Sequence, residues 1–366
     1  MDSNLRFGNQ TVVEQTSLPS FVYISLIVIN LLVITTSLAG NSLLLYTFYK
    51  VRSLRMISSY LVINLAIVDF LVAALILPTI FVTLLTKGWQ LGREVCVAAG
   101  FCDAVLTKAQ VMALLNIGIN RYIAVHCPTF YSTAKNRKLS ERLVLIGWLY
   151  SLVLSLPPIF GSGSYSHREQ KLFCGLDRSS ARLYGTVDLV LGFVIPSFAG
   201  LVIYTKVLLR VFRHIRKVAF DLNDHHLSAQ KVSADKFDEE ENNSIAGRRE
   251  EKLEDTKSQA RINANDEKSR KLTGMINKAR KQKQNQQLNQ ITKVFLIIVF
   301  AFAICWIPRG VANIWALISG RETVPLSLEI CSTVLIFSTC AVNPMVYGYY
   351  RTDIRQGFRT VLCCFR

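Results

Sequence analysis

The apolar residues of this chain are gathered into long runs instead of alternating with polar residues. From Gln15 to Tyr49, 35 residues follow one another without a charge. A helix needs roughly 20 apolar residues to cross the hydrocarbon core of a bilayer, where backbone polar groups must pair with one another. Seven segments meet this requirement and predict an all-α membrane protein with a seven-transmembrane helix bundle: residues 21–49, 58–86, 94–126, 141–161, 183–212, 290–318 and 324–350.

The remaining segments complete the predicted organisation. Residues 1–20 are expected to form an extracellular N-terminus, and residues 21–350 the transmembrane domain. Residues 351–366 are expected to form a short amphipathic cytosolic helix and tail. Within the domain, the connection 215–287 holds 16 Lys or Arg and 13 Asp or Glu. It has few apolar residues to offset the entropy of ordering, so its centre is predicted to be disordered.

Basic residues are distributed unevenly between the connections. The formal net charge is +17, and 32 of the 42 Lys and Arg residues lie in the first, third and fifth connections, the adjoining segment ends and the C-terminal tail. Because basic residues accumulate on the cytosolic side, the N-terminus is predicted to be extracellular and the C-terminus cytosolic. The positive charge is therefore explained by membrane topology, with basic residues facing anionic membrane lipid, and not by contact with nucleic acid.

Cysteines and a sequon suggest covalent modifications. The chain has nine cysteines, without the spacing of a metal site. Cys96 and Cys174 both fall on the predicted oxidising side, which favours a disulfide between them. Asn9 begins an N-glycosylation sequon in the predicted extracellular segment. Cys363 and Cys364 close a basic, amphipathic run and are either palmitoylation sites or two free thiols.

Short motifs follow one another along the seven segments. The motifs are Gly40-Asn41, Leu65-Ala66-Ile67-Val68-Asp69, Asn120-Arg121-Tyr122, Trp148, Pro196 with Tyr204, Cys305-Trp306-Ile307-Pro308, and Asn343-Pro344-Met345-Val346-Tyr347. Their order resembles that of rhodopsin-like (class A) G protein-coupled receptors over roughly residues 21–364, which implies a multi-pass plasma-membrane protein. The scaffold is most similar to melatonin-receptor-like members, through Asn120-Arg121-Tyr122, Phe302-Ala303-Ile304-Cys305-Trp306 and Tyr347-Gly348.

This resemblance implies a signalling function. Such receptors pass an extracellular signal to a heterotrimeric G protein through outward movement of the sixth helix. Arrestin is a further partner of such receptors, and no cofactor and no catalytic residues are implied. The residues matched to coupling and activation are Asn120, Arg121, Tyr122, Tyr204, Phe302, Trp306, Asn343, Pro344 and Tyr347.

Two positions in the resemblance have consequences of their own. Asp69 is expected to form a mid-bundle polar cluster with Asn41 and Asn343, and it matches the sodium-binding aspartate of the family. Gln110 stands where a serine commonly assists the ion. At the cytosolic end, Asn120 replaces the usual acidic neighbour of the arginine.

Leu288 stands where many relatives carry an acidic latch. The resting state is then held less firmly, because neither carboxylate is available to restrain Arg121. We therefore expect measurable signalling without a ligand.

Charged residues in the spans indicate a polar binding site. Asp103 matches the aspartate that holds the ammonium group in amine receptors, with Asp188 as a second anchor. Alternatively, Asp103 pairs with Arg309 and Asp188 with Lys108. The expected ligand is small and polar, zwitterionic or indole- or amine-like. Its expected contacts are Asp103, Thr107, Asp188, Trp306, Arg309, Asn313 and Phe337.

Other functions fit the sequence less well. A seven-span transporter or channel would need a continuous polar path, and internal repeats are not apparent. A light-sensing pigment is disfavoured because residues 324–350 contain no lysine to hold retinal. An enzyme is disfavoured because no Ser/His/Asp set, metal cluster or phosphate-binding loop is visible.

Overall fold

The computed structural model describes residues 19–54, 59–131, 134–167, 172–177, 181–213, 216, 294, 296–316, 318–319 and 323–363. Three sequence predictions therefore lie wholly or almost wholly outside the described residues. They concern the sequon at Asn9, the character of the connection 215–287 and the thiol of Cys364. Leu288 lies outside them as well.

Seven helices among the described residues are long and apolar enough to cross a membrane, which confirms the predicted bundle. The fourth helix begins at Ala134 instead of residue 141, and its membrane-spanning part is Arg137–Phe160. The helices are α1 Ser20–Lys50, α2 Ser59–Leu85, α3 Gly92–His126, α4 Arg137–Phe160, α5 Arg182–Arg213, α6 Leu296–Ala316 and α7 Leu326–Tyr350.

An eighth helix follows the seventh directly. The predicted amphipathic segment forms α8, Thr352–Cys363, and buries Ile354, Gly357 and Val361. A Cβ atom at Gly357 would lie 2.6 Å from Cγ2 of Thr47, so the absence of a side chain lets α8 pack against the end of α1. This contact defines one end of the bundle, called here the α8 end.

A short β-hairpin defines the opposite end, called here the hairpin end. Strands β1, Tyr165–Ser166, and β2, Gly175–Leu176, pair antiparallel. The predicted disulfide is present: Cys96 of α3 is bonded to Cys174 beside β2, with their Cα atoms 5.3 Å apart. The Tyr165 hydroxyl donates to the carbonyl of Ser155 at 2.7 Å, and burial raises its pKa, so it remains a donor. The hairpin is thus fixed to α3 and α4.

The apolar core is divided along the bundle axis. One cluster near the α8 end includes Leu44, Ile117 and Ile354. A second cluster near the hairpin end includes Ile76 and Phe337. Such a division leaves room between the clusters for polar side chains, which the structure concentrates at three levels of the bundle.

Local helix irregularities position some of these polar side chains. Val190–Val194 of α5 forms a π-helical turn. A Cβ atom at Gly192, within this turn, would lie 2.9 Å from Cε of Lys108. A Cβ atom at Gly40 of α1 would lie 2.7 Å from Cγ of Pro344 in α7. Glycine at position 192 therefore lets the Lys108 side chain lie close to α5, and glycine at position 40 lets Pro344 of α7 lie close to α1.

Candidate functional site

The main cavity opens between α3, α5, α6, α7 and the hairpin. Its volume is about 860 Å³ with the open mouth included. All seven residues predicted to contact a ligand line it. Its lining is Asp103, Ala104, Thr107, Lys108, Phe173, Gly175, Leu176, Asp188, Leu189, Gly192, Phe193, Trp306, Arg309, Gly310, Asn313, Ile336 and Phe337.

An ion pair crosses one wall of the main cavity. Nζ of Lys108 lies 2.8 Å from Oδ1 of Asp188, and the two side chains are only 6% and 10% exposed. The same ammonium group donates to Oγ of Ser155 at 3.2 Å and to the carbonyl of Ala104 at 3.3 Å. The predicted pairing of Lys108 with Asp188 is confirmed, and the pair links α3 to α5.

A second ion pair corrects the sequence prediction. One of the two alternatives paired Arg309 with Asp103, but the salt bridge of Arg309 is with Glu329, from Nη1 to Oε2 at 2.5 Å. Its Nη2 donates to Oγ1 of Thr333 at 3.1 Å, and its guanidinium lies 5.6 Å from the ring centre of Phe173. Glu329 and Thr333 are one turn apart and therefore share a face of α7. Only the packing of α6 against α7 brings Glu329 to Arg309.

Aromatic rings form the floor of the main cavity. Phe193 stacks on Trp306 with ring centres 5.2 Å apart, and Phe302 stacks on Trp306 at 4.8 Å. The buried Nε1 of Trp306 has no hydrogen-bond acceptor among the described residues. Phe337 meets Phe173 edge to face at 5.6 Å. The cavity therefore combines charged walls with an aromatic floor.

Deeper in the bundle, three residues form what we call the Asp69 cluster: Asp69, Gln110 and Asn343. Nε2 of Gln110 donates to Oδ1 of Asp69, and Nδ2 of Asn343 donates to Oδ2, each at 2.6 Å. The predicted contact of Asp69 with Asn343 is present, and Gln110 is an additional partner. Amide N–H groups thus face both carboxylate oxygens, whereas a metal ion would need oxygen atoms turned toward it.

The predicted third member of this cluster has other partners. Nδ2 of Asn41 donates to the carbonyls of Ser37 at 2.9 Å and Cys340 at 3.0 Å. Oδ1 of Asn41 and Oγ of Ser37 are buried without a hydrogen-bond partner among the described residues. Two such oxygens on neighbouring turns suit an ordered water molecule.

At the α8 end, the motif arginine is hydrogen-bonded to two neutral side chains. Arg121 is 1% exposed, and its Nη2 donates to Oδ1 of Asn120 at 2.9 Å and to the hydroxyl of Tyr131 at 3.1 Å. Nδ2 of Asn120 donates in turn to Oγ of Ser140 at 3.3 Å. Tyr131, in a single helical turn at Pro128–Tyr131, was not predicted from sequence, because the turn that returns it to Arg121 carries no motif.

Other motif residues near this end have separate contacts. The Tyr204 hydroxyl donates to the carbonyl of Leu114 at 2.8 Å. Tyr122 stacks on His126 with ring centres 4.1 Å apart. Cys363 has an exposed, unbonded thiol, in keeping with the palmitoylation prediction, which stays a prediction. Among the described residues, no group of three or more His, Cys, Asp or Glu side chains could hold a metal ion.

Comparison with known proteins agrees with this architecture. Residues 40–347 match the model of the seven-transmembrane receptor (rhodopsin) family. The chain is 28% identical to 5-hydroxytryptamine receptor 7 of Xenopus laevis, covering 90% of this chain and 74% of the relative. It is 23% identical to a tyramine receptor of Caenorhabditis elegans, covering 91% and 82%.

A melanopsin and a solved structure agree as well. The chain is 25% identical to melanopsin-B of Xenopus laevis, covering 98% of this chain but 58% of that protein. The crystal structure of squid rhodopsin superposes with a TM-score of 0.68 at 22% identity, covering 96% of this chain and 89% of the other. That likeness establishes a common fold.

The matched family contains receptors and not enzymes, and these similarities give no support to a transporter or channel. Membership implies a multi-pass protein of the plasma membrane that couples to a G protein and responds to a small molecule. Because the family match covers most of the chain and includes at least part of each of the seven helices, the chain belongs to the rhodopsin family of seven-transmembrane receptors.

Proposed function

We propose that this receptor carries a signal from an extracellular ligand in the main cavity to a heterotrimeric G protein at the α8 end. The hairpin end and N-terminus would face outward, and α8 with the C-terminus would face the cytosol. The distribution of basic residues supports this orientation, with 32 of 42 Lys and Arg in the first, third and fifth connections, the adjoining segment ends and the C-terminal tail. Arrestin and anionic lipid are further proposed partners at the cytosolic surface.

The ligand we propose is a small aromatic amine, such as an indole-amine, with its ammonium group held by Asp103. The observation that carries this proposal is the internal neutralisation of both basic residues in the cavity. Lys108 is paired with Asp188 and Arg309 with Glu329, so neither base strongly repels a cation. The rings around Trp306 add a favourable surface for an aromatic cation.

The relatives support the same ligand class. The names of two of them refer to 5-hydroxytryptamine and tyramine, both aromatic amines. The resemblance of the scaffold to melatonin receptors stays a prediction. Pro158 and Arg178 stand where those receptors have a ligand-contacting asparagine and a loop glutamine.

Activation is proposed to proceed by outward movement of α6. The stack of Phe193, Trp306 and Phe302 connects the cavity floor to the centre of α6. Pro308 of α6 and Pro344 of α7 each remove a helical hydrogen bond, which lowers the cost of bending at those points. A ligand that binds one arrangement of this stack more tightly would shift the population toward the coupled state.

We propose that the receptor signals measurably without a ligand. Asn120 stands where relatives carry an acidic residue, and its hydrogen bond to the guanidinium of Arg121, like that of Tyr131, is weaker than a bond to a carboxylate would be. Some receptors would therefore occupy the coupled state without a ligand.

The test is G-protein dissociation in cells that express the receptor, measured with a panel of arylalkylamines. Arg121→Ala should abolish basal and amine-driven signals at unchanged surface expression. Arg137→Ala, a change at an exposed arginine near the same end, is the matched control and should signal normally. Asp103→Asn should lower amine potency at least about tenfold, since one charge interaction is lost. Normal amine potency in Asp103→Asn would refute the ligand assignment, and normal coupling in Arg121→Ala would refute the coupling site.

A further inference from the structure

Asp69 presents an electrostatic problem that the coupling mechanism does not address. Its side chain lies within α2 at 0% exposure, and its described contacts are with neutral groups. A carboxylate in the interior of a membrane protein needs compensation by a cation, a proton or hydrogen-bond donors. The family resemblance pointed to a sodium ion, so the atoms around Asp69 decide between these possibilities.

The nearest atoms are hydrogen-bond donors. Gln110 and Asn343 each place an amide nitrogen 2.6 Å from a different carboxylate oxygen. The same Gln110 nitrogen lies 3.3 Å from Sγ of Cys340, so both of its N–H groups have acceptors. With the amide reversed, two oxygens would lie 2.6 Å apart, and an ionised Asp69 has no hydrogen to place between them, which is repulsive. The contacts therefore fix the amide with its donors toward Asp69.

Side-chain size contributes to the same result. Gln110 is 3% exposed and reaches from α3 to both Asp69 of α2 and Cys340 of α7. A shorter hydroxyl side chain at this position would leave space beside the carboxylate and present an oxygen to it. The glutamine fills that space and presents hydrogens.

We propose that the Gln110 amide takes the place of a metal cation beside Asp69, so that the Asp69 cluster binds no sodium ion. The stability of the receptor is then independent of sodium. This inference rests on the contacts of Asp69 and not on the proposed ligand or its cavity. Replacing Gln110 by serine should open a sodium site that the natural sequence closes.

The experiment is thermal unfolding of the purified full-length receptor in detergent, followed by tryptophan fluorescence. Melting is compared in sodium chloride and in choline chloride at equal ionic strength, with sodium as the only probe. The natural sequence should melt within about 1 °C in the two salts, and Gln110→Ser should gain about 2 to 5 °C in sodium alone. Gln110→Leu, which has neither donor nor oxygen, should show no sodium response.

A sodium-specific rise in the melting temperature of the natural sequence would overturn the proposal, even if no variant folds. A folded Gln110→Ser receptor without a sodium response would also overturn it, because the amide would then not be what excludes the ion. Neither measurement needs a ligand or a G protein. Failure of the amine assignment would therefore leave this test intact, and failure here would leave that assignment intact.

Discussion

The main cavity and the Asp69 cluster both bury titratable side chains, but they compensate them differently. In the cavity, each basic residue meets a carboxylate, at 2.8 Å for Lys108–Asp188 and 2.5 Å for Arg309–Glu329. In the cluster, one carboxylate meets two neutral amides at 2.6 Å. Removing one member of a buried ion pair leaves the other charge unpaired. Removing one amide from Asp69 removes one hydrogen bond and leaves the other in place.

This difference matters for signalling. The two ion pairs tie α3 to α5 and α6 to α7, so we expect them to define the shape of the cavity walls. The Asp69 cluster joins α2, α3 and α7 through neutral amides, whose reorientation leaves no second charge unpaired. We therefore expect the cluster to tolerate helix rearrangement better than the cavity walls do.

The largest expected effect comes from breaking one ion pair. Asp188→Leu should leave the Lys108 ammonium buried without its carboxylate and lower the free energy of unfolding by about 3 to 5 kcal/mol. Thermal unfolding of the purified receptor measures the loss. The double variant Lys108→Met/Asp188→Leu should recover most of it, because no charge remains. Equal losses in the single and double variants would show that packing, not charge, stabilises this wall.

A smaller loss is expected in the Asp69 cluster. Asp69→Asn retains one side-chain oxygen, but its amide NH2 faces the N–H of Gln110 or Asn343, so one strong hydrogen bond is lost. The expected decrease in the free energy of unfolding is about 1.5 to 3 kcal/mol, measured in the same way. A loss as large as that of Asp188→Leu would contradict the distinction between charge-paired and amide-capped groups.

The α8 end offers a third case, in which neutral groups hold a basic residue. Tyr131→Phe keeps the ring but removes the hydroxyl that accepts from Arg121, and should raise ligand-independent signalling about two- to tenfold. G-protein dissociation at matched surface expression is the readout. Asn120→Asp, which restores a carboxylate beside Arg121, should lower the basal signal. An unchanged signal in both variants would mean that Arg121 does not limit activation.

The smallest expected effect comes from removing the neutral hydrogen-bond acceptor of Arg309. Thr333→Val removes the 3.1 Å hydrogen bond from Arg309 but leaves the Glu329 salt bridge, so the loss should be about 0.6 kcal/mol. Thr339→Val, which removes a hydroxyl bonded only within α7 to the carbonyl of Ile336, serves as the control in the same melting assay. A much larger loss for Thr333→Val would show that the salt bridge depends on the threonine.

Sequence reasoning found the residues of the site better than it found their partners. The seven residues predicted to contact a ligand do line one cavity, and the disulfide and the Lys108–Asp188 pair were predicted correctly. The alternative that paired Arg309 with Asp103 was wrong. Its partner Glu329 lies 20 residues away in the chain, and nothing local connects the two.

Gln110 and Tyr131 show the same limit in different ways. Gln110 was noticed as a departure from a family pattern, but its contact with Asp69, 41 residues away, needed the packed helices. Tyr131 is only ten residues from Arg121, yet the chain must first leave α3 and turn back. The sequence shows that Gln110 and Asn120 depart from the family pattern. It does not show that Gln110 contacts Asp69 or that Tyr131 contacts Arg121.

The sequence by itself determined the seven spans, the order of the motifs and the membership that follows from them. It could do so because the free-energy cost of placing backbone and charge in lipid applies to each segment separately. Only the tertiary structure decided which buried charges face each other and which face amides. Those pairings depend on the rotation and packing of helices that are distant in the chain, and a shift of one residue in a helix turns a side chain by about 100° toward different neighbours.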